Sequence, residues 1–350
     1  MSAHWVLHVD LDQFIAAVEV ARRPELRDRP VVVGGTGDPT ARGVVSTASY
    51  EARAHGVHSG MPLRLAARRC PEAVFLPVDA PVYREASERF TDTLRRFPAV
   101  VEVLGWDEAF LGADTDDPEA LAARIRAAVH AGTGLWCSVG IGDNRLRAKL
   151  ATGFAKPTAP DGPPPGHSFR LTRENWVPVM AGRPTDALWG IGARTARKLA
   201  DAGIGTVAEL AAADPEELAA RFGPVTGPWY RALAHGAGDT EVSDAPHRAR
   251  SHSRETTFQH DLVDRAEIAR NVTVLAGRVA RDVEDEGRPA VRVTVKVRFA
   301  PFHTHTHGLA LEAPTSDPAE ITRAALEALE RFDRDRPVRL LGVRAELGEP

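Results

Sequence analysis

Two acidic clusters carry the residue types best suited to chemistry. Asp107 and Glu108 stand in a polar turn, Gly105-Trp106-Asp107-Glu108-Ala109, between two apolar runs, Val100 to Leu104 and Ala109 to Ala113. Two such runs around a tight polar centre read as a β-hairpin. Adjacent carboxylates at a hairpin tip repel each other and cost stability unless a cation sits over them. On its own the pair reads as a solvated acidic turn. A second cluster, Asp10-Leu11-Asp12, closes the first apolar run of the chain. A fold that sets Asp10 beside Asp107 and Glu108 builds an oxygen-rich site for a divalent cation.

A second group of residues suits an anion. Thr47, Tyr50 and Arg53 are three and six residues apart, so a strand end and one helical turn can aim them at one point. A hydroxyl, a phenol and a guanidinium meeting there fit a phosphate. Taken singly they read as a capping threonine, a packing tyrosine and a surface arginine. Lysine is scarce, with only Lys149, Lys156, Lys198 and Lys296, so arginine counts carry little information. Lys149 and Lys156 are two helical turns apart and share a face. That face could meet the same anion as Arg53, or be a solvated basic surface. His303, His305 and His307 alternate along a strand but lack a carboxylate or cysteine partner, so they are not read as a zinc site.

The elements that must position these residues follow from periodicity. Trp5 to Val9 predicts a strand with Asp10 at its end, and Gln13 to Ala21 a helix. Pro30 to Gly35 and Val44 to Tyr50 predict strands, the second entering a helix that carries Arg53. A strand at Val74 to Pro77, a helix from Pro81 to Phe97, the acidic hairpin, a helix from Pro118 to about Ala131 and a strand at Trp136 to Ile141 follow. With 13 to 98 set aside except its last helix, this order is a split βαβ, ferredoxin-like sheet, with Asp10 facing Asp107 and Glu108. Arg145 to Ala155 is a helix, and Pro157 to Gly166 a Pro/Gly-rich loop.

At 350 residues the chain predicts two to four domains, and 43% hydrophobic content is ordinary for a globular protein. No run approaches a membrane span, and no basic-then-apolar leader is present, so a cytoplasmic protein is expected. Cys70 and Cys137 are too few and too far apart for a zinc motif. The net charge of −4 argues only weakly against nucleic acid, because a local face is what binds.

Five motifs then carry a resemblance. His8-Val9-Asp10-Leu11-Asp12-Gln13-Phe14, Ser46 to Arg53, Gly56 to Pro62, Trp106-Asp107-Glu108-Ala109 and Ala155-Lys156-Pro157 stand in the order and spacing of the Y-family DNA polymerases. The chain resembles most the DNA polymerase IV (DinB) branch, in an actinobacterial second-paralogue type. The resemblance spans nearly the whole chain. It implies an α+β, multidomain right-hand polymerase: a ferredoxin-like palm (1–12 and 75–165), small fingers (13–74), a helical thumb with a helix–hairpin–helix (166–235), a linker (236–250) and a β-α-β-β-α-β little finger (251–350). It also implies that Asp10, Asp107 and Glu108, with the Leu11 carbonyl, hold two Mg²⁺ ions, Mn²⁺ serving as a substitute. Thr47, Tyr50, Arg53 and Lys156 would bind the triphosphate, with Asp12, Gln13, Phe14 and Ile15 around the nucleotide. The implied activity is templated, low-fidelity extension of a primer by a monomer, on primer–template DNA, using dNTPs.

Two positions depart from that pattern. The residue after Phe14 is ordinarily a large aromatic that excludes a ribose 2′-hydroxyl, and here it is Ile15. Relaxed discrimination against rNTPs is the expectation. Gly105 replaces a commoner serine and is expected to be tolerated.

The C-terminal half extends the reading. Asp186 to Thr195 contains Gly190-Ile191-Gly192 ahead of Arg194, a turn whose amides can hold a DNA phosphate without reading sequence. The region after 250 reads β-α-β-β-α-β. In its second strand Val291, Val293, Val295, Val297 and Phe299 face one side, and Arg292, Thr294, Lys296 and Arg298 the other. The basic side, with Arg254, is expected to meet a phosphate backbone. No exonuclease stretch is left over, so proofreading is not expected. Only Gln13 and Gln259 occur, and no glutamine-and-leucine tail follows, so tail-mediated sliding-clamp recruitment is expected to be weak. Two other classes are open: a non-catalytic DNA-binding paralogue, against which the three carboxylates count, and a nucleotide cyclase, which would not need the Gly-Ile-Gly turn or the basic strand.

Overall fold

A computed structural model describes residues 3–157, 167–246, 248–333 and 335–348. The Pro/Gly-rich loop expected over 157–166 lies outside the described residues after Pro157. The chain divides into two units, 1–39 with 43–245, and 40–42 with 246–350.

Unit 1 contains strands β1 (Ala3–Leu11), β2 (Val31–Val33), β3 (Thr47–Ala48), β4 (Val74–Leu76), β5 (Val100–Val103), β6 (Glu108–Thr115), β7 (Cys137–Gly142) and β8 (Ser168–Leu171). Its main sheet has the order β5-β6-β1-β7-β8. The first four positions are those of the expected ferredoxin-like sheet. β1 pairs antiparallel with both β6 and β7, and Asp10 lies opposite Glu108 on one side and Ser138 on the other. The central strand is buried on both faces. Leu7, Val9 and Leu11 pack with Ala109, Leu111, Cys137, Val139 and Ile141 against the helices Ala80–Leu94 and Pro118–Thr133. Side chains alternate along a strand, so Val6, His8 and Asp10 face the other way, with Glu108 and Phe110.

That second face is covered by the helix Arg145–Ala155, whose N-cap Asn144 accepts a bond from the Arg147 amide at 2.9 Å. Gly140 and Gly142 let it come close. A Cβ at Gly140 would overlap the Ala148 carbonyl and the Thr152 amide, and one at Gly142 the Ala148 amide. The other long helix is bounded as its sequence suggests. Asp117 caps it ahead of Pro118, and Gly134 ends it with a φ of 73°.

Several expected boundaries change. β4 straddles the expected join at 74/75 and pairs in parallel with β2, completing a small sheet β3-β2-β4 over the core of Val32, Val45, Ala48 and Leu63. The strand expected over 44–50 shrinks to β3, because Ser49 caps the helix Tyr50–Ala54. β8, expected with the thumb, instead pairs in parallel with β7. The expected linker is half absorbed into unit 1: the Asn144 amide donates to the Gly236 carbonyl at 2.8 Å, and Val242 packs on Val6 and Phe110. Helices between Trp176 and Ala234 surround a core of Leu188, Ile191, Leu199, Leu210 and Leu233. One of them starts at Thr206 with a capping box to Glu209.

Unit 2 carries β9 (Ser251–Leu262), β10 (Ala290–Phe299), β11 (His303–Thr315) and β12 (Val338–Leu347), in the order β11-β10-β12-β9. The helices Arg265–Glu286 and Pro318–Leu329 pack on one face over Val293, Val295, Val297 and Phe299. Val291 departs from the expected alternation. A register shift between Ala290 and Arg292 puts Ala290 into the core in its place. His307 lies edge-on to Phe332 at 4.5 Å.

The close approach at Gly140 predicts that Gly140→Ala costs about 2 to 4 kcal/mol in urea unfolding, because helix and sheet must separate. Gly153→Ala, on the exposed side of the same helix where a Cβ meets nothing, should be neutral or gain up to about 1 kcal/mol.

Candidate active site

The carboxylate cluster is built by register. Asp10 ends β1 and Glu108 opens β6 directly opposite it. The Leu11 amide donates to the Asp107 carbonyl at 2.8 Å, which fastens the hairpin turn to the end of β1. The helix Arg145–Ala155 supplies the counter-charges. Lys149 Nζ donates to Glu108 Oε2 at 2.5 Å, and Lys156 Nζ to Asp10 Oδ1 at 2.6 Å. The lysines thus reach the carboxylates rather than standing on a solvated surface. His8, 1% exposed, places Nε2 3.2 Å from both Glu108 Oε2 and Lys149 Nζ, and Nδ1 2.8 Å from Thr152 Oγ1.

These neighbours divide the carboxylates electrostatically. The bonds from His8 and Lys149 overcome burial and hold the Glu108 pKa down at about 2. Burial, reinforced by the charges of Asp10 and Glu108, raises that of Asp107. Burial lowers the pKa of His8, so its ring is neutral at pH 7. Three carboxylates against two ammonium groups leave the cluster short of positive charge, with Asp107 the least compensated. Hard oxygen donors with that deficit fit a divalent cation of the Mg²⁺ or Mn²⁺ kind.

Asp12 points elsewhere and is 6% exposed. Its Oδ1 accepts from Ser138 Oγ at 2.8 Å and Tyr50 Oη at 3.1 Å, while Oδ2 has no partner among the described residues. Desolvation raises its pKa. Gln13 has a φ of 45° and its Oε1 accepts from the Tyr50 amide at 2.6 Å. Together Asp12 and Gln13 moor the helix Tyr50–Ala54 to the main sheet. Arg53 Nε donates to the Ala48 carbonyl, and its guanidinium lies 5.2 Å from the Tyr50 ring centre. Thr47, in β3, stands one turn before Tyr50. Phe14 is a core residue, which leaves only its backbone for a ligand; Ile15 is half-buried at the edge of the same core. A Cβ at Gly105 would find only Asp107 Oδ1, at 4.0 Å, so a serine there would be accommodated.

The expected DNA-facing residues separate into groups. Gly190 has a φ of 104°, and Gly192 caps the helix Ala193–Ala200, with Arg194 exposed in its first turn. Ile191 is 3% exposed, so its side chain belongs to the core, and its amide donates to the Leu188 carbonyl at 3.0 Å, which leaves Gly190 and Gly192 as the exposed residues of the turn. In unit 2, Arg292, Lys296 and Arg298 share the face away from the helices. Lys296 pairs there with Glu255 at 2.6 Å, and Arg298 donates to Thr304. Arg254 is a correction. It lies opposite the core residue Val343, on the helix side, where Asp282 holds its guanidinium in a two-bond pair.

Sequence reasoning missed His8, Thr152, Ser138 and Trp189. His8 could have been found, since it is two residues before Asp10 on a strand and so shares its face. Ser138 and Thr152 give no local signal. Trp189 directly precedes the Gly-Ile-Gly turn, and its ring lies 5.3 Å from Lys149 Nζ and 6.3 Å from Phe110.

The low Glu108 pKa makes part of the stability pH-dependent. A carboxylate whose pKa is depressed on folding stabilises the fold above its unfolded value, near 4.5, and loses that contribution as pH falls toward about 2. In metal-free buffer, Glu108→Gln should therefore be less stable than the parent by about 1 to 3 kcal/mol at pH 6. The gap should narrow below about pH 4 and close only as pH approaches about 2 in urea unfolding curves.

Comparison with known proteins agrees with this geometry along the chain. The model of the impB/mucB/samB family matches residues 9–153, and that of its C-terminal domain residues 249–347. Between them a SAM-like helix-hairpin-helix tandem matches residues 187–226. DNA polymerase IV 2 of Mycobacterium tuberculosis (strain ATCC 25618 / H37Rv) is 51% identical over 347 residues, 98% of each chain. DNA polymerase IV of Methanoculleus marisnigri is 42% identical over 98% of this chain and 94% of its own. The solved Y-family DNA polymerase chimera Dbh-Dpo4(243-245)-Dbh shares the fold, with a TM-score of 0.82, 24% identity and 98% of each chain covered. The carboxylates brought together by register, the order of the matched segments and the whole-length identity lead to one conclusion: the chain belongs to the impB/mucB/samB family of Y-family DNA polymerases, enzymes of the DNA polymerase IV type.

Proposed function

We propose that this protein extends a primer on damaged or mismatched template DNA by two-metal phosphoryl transfer, with relaxed discrimination against ribonucleotides. The observation that carries the reading is the Asp10–Glu108 register, which places both carboxylates and Asp107 at the end of one sheet. Asp10, Asp107, Glu108 and the Leu11 carbonyl would hold two Mg²⁺ ions. When bound, these would lower the pKa of the primer 3′-hydroxyl and neutralise the triphosphate and departing pyrophosphate.

The remaining work falls to the chain's own groups. Tyr50, Arg53, Thr47 and Lys156 orient the triphosphate by hydrogen bonds and charge, so catalysis is chiefly positioning. Asp12 and Gln13 hold Tyr50 in place through the bonds described above. The exposed backbone of Gly190 and Gly192, with Arg194, fits a DNA phosphate while Ile191 anchors the turn in the core, and the face bearing Arg292, Lys296 and Arg298 fits a duplex backbone. The palm would comprise the main sheet and its helices, the fingers the β3-β2-β4 sheet, the thumb the helices from Trp176 to Ala234, and the little finger unit 2.

Ile15 follows Phe14 at the start of the helix Phe14–Arg22, where an aromatic ring would form a flat wall under the nucleotide sugar. A branched aliphatic side chain is shorter and rejects an added hydroxyl weakly.

Primer extension on a templated duplex, run with dNTPs and with rNTPs, tests both parts. Asp107→Ala should lower templated extension by roughly 10³-fold or more while duplex binding persists. Extension that survives this change would remove the role assigned to Asp107, and no extension from the parent protein with duplex still bound would support a non-catalytic role. Template-free cyclic nucleotide would support a cyclase. For the sugar, the parent should use dNTPs and rNTPs at comparable rates, and Ile15→Phe should raise the dNTP preference by about 100-fold. A parent preference of many thousand-fold would remove the assignment of Ile15.

A further inference from the structure

The Lys149 ammonium has two partners of different kinds. One is Glu108 Oε2 at 2.5 Å; the other is the ring of Trp189, 5.3 Å from its centre. Trp189 does not belong to the sheet or its covering helix. It directly precedes the Gly190-Ile191-Gly192 turn, with Leu188 before it and Ile191 two residues after it packed into the helical core. The turn is held firmly: Gly190 has a φ of 104°, and a Cβ there would strike Trp229 and Leu233. Trp189 itself is 45% exposed, and its ring also reaches Phe110, which shares a sheet face with Glu108. A large, half-exposed aromatic thus joins the turn expected to grip DNA to the lysine that grips a catalytic carboxylate.

We infer that Trp189 is a positioning residue, which links the seating of the Gly190–Gly192 turn on duplex DNA to the release of Glu108 from Lys149. This inference rests on the polymerase reading of the site. Glu108 cannot give its charge fully to Lys149 and to a divalent cation at once. The face of an indole attracts an ammonium ion, so Trp189 offers Lys149 a second seat within the protein. A turn fixed by a bound phosphate fixes the ring, and the ammonium can then lean on it as Glu108 turns to the cation. Without the ring, Lys149 keeps Glu108 and competes with the cation for it.

The test uses the full-length protein with primer–template, as Trp189→Leu, Trp189→Phe, Lys149→Met and the Trp189→Leu/Lys149→Met double variant. Trp189→Leu should raise the Mg²⁺ concentration for half-maximal extension by about 3- to 30-fold, with duplex affinity and Tm unchanged. Trp189→Phe should recover most of that loss. In the Lys149→Met background, Trp189→Leu should add nothing. A readout independent of turnover is the tryptophan emission of the parent minus that of Trp189→Phe. It should change on Mg²⁺ addition to the DNA-bound protein without nucleotide, and the change should vanish in Lys149→Met. A Trp189→Leu effect confined to duplex affinity or Tm, or equal in both lysine backgrounds, overturns the inference. If the parent makes no templated product, the polymerase reading fails; the emission titration still decides whether Trp189 and Lys149 are linked, a flat response overturning it.

Discussion

The charges of the candidate active site depend on how closely the helix Arg145–Ala155 lies on the sheet. Gly140 and Gly142 remove the side chains that would hold it away, and backbone atoms of Ala148 and Thr152 occupy the space. Only at that distance do Lys149 and Lys156 reach Glu108 and Asp10. The same contact sets Thr152 on His8. Two glycines in one buried strand thus set the electrostatics of a cluster contributed by three elements.

That cluster faces a like-charge problem. Carboxylates gathered at a strand end are costly without compensation, and burial increases the cost. The protein compensates two of the three with lysines and leaves Asp107 with a raised pKa. The arrangement is tolerable without a cation, and its charge deficit fits one. Asp12 is kept apart from it. Its bonds to Tyr50 and Ser138 use its charge to join the small sheet's helix to the main sheet.

The surfaces proposed to meet DNA are built differently. In both units, backbone and side chains from one segment serve core and surface in alternation. Ile191 packs inward while Gly190 and Gly192 face out, and Val295 and Val297 pack inward while Lys296 and Arg298 face out. Such alternation lets a packed core present polar and cationic groups to solvent.

The sequence by itself determined a great deal of this protein. Alternating patterns are local, so the hairpin, the strand ending at Asp10, the helix Arg145–Ala155 and the strand Val338–Leu347 were all legible. Motif order was enough for the family and for expecting Asp10, Asp107 and Glu108 to lie together, as they do. Tertiary structure alone decided the rest, because it depended on partners distant in the chain. Whether β4 and β8 join one sheet or another is set by strand pairing, which leaves no mark in three or four residues. Arg254 reads as one more basic strand residue until its register opposite Val343 puts it on the helix side. Lys149 reads as part of a basic helix face until the glycines opposite bring it onto Glu108 and Trp189. Residue type and spacing specify which groups are available; close packing across the fold specifies which of them meet.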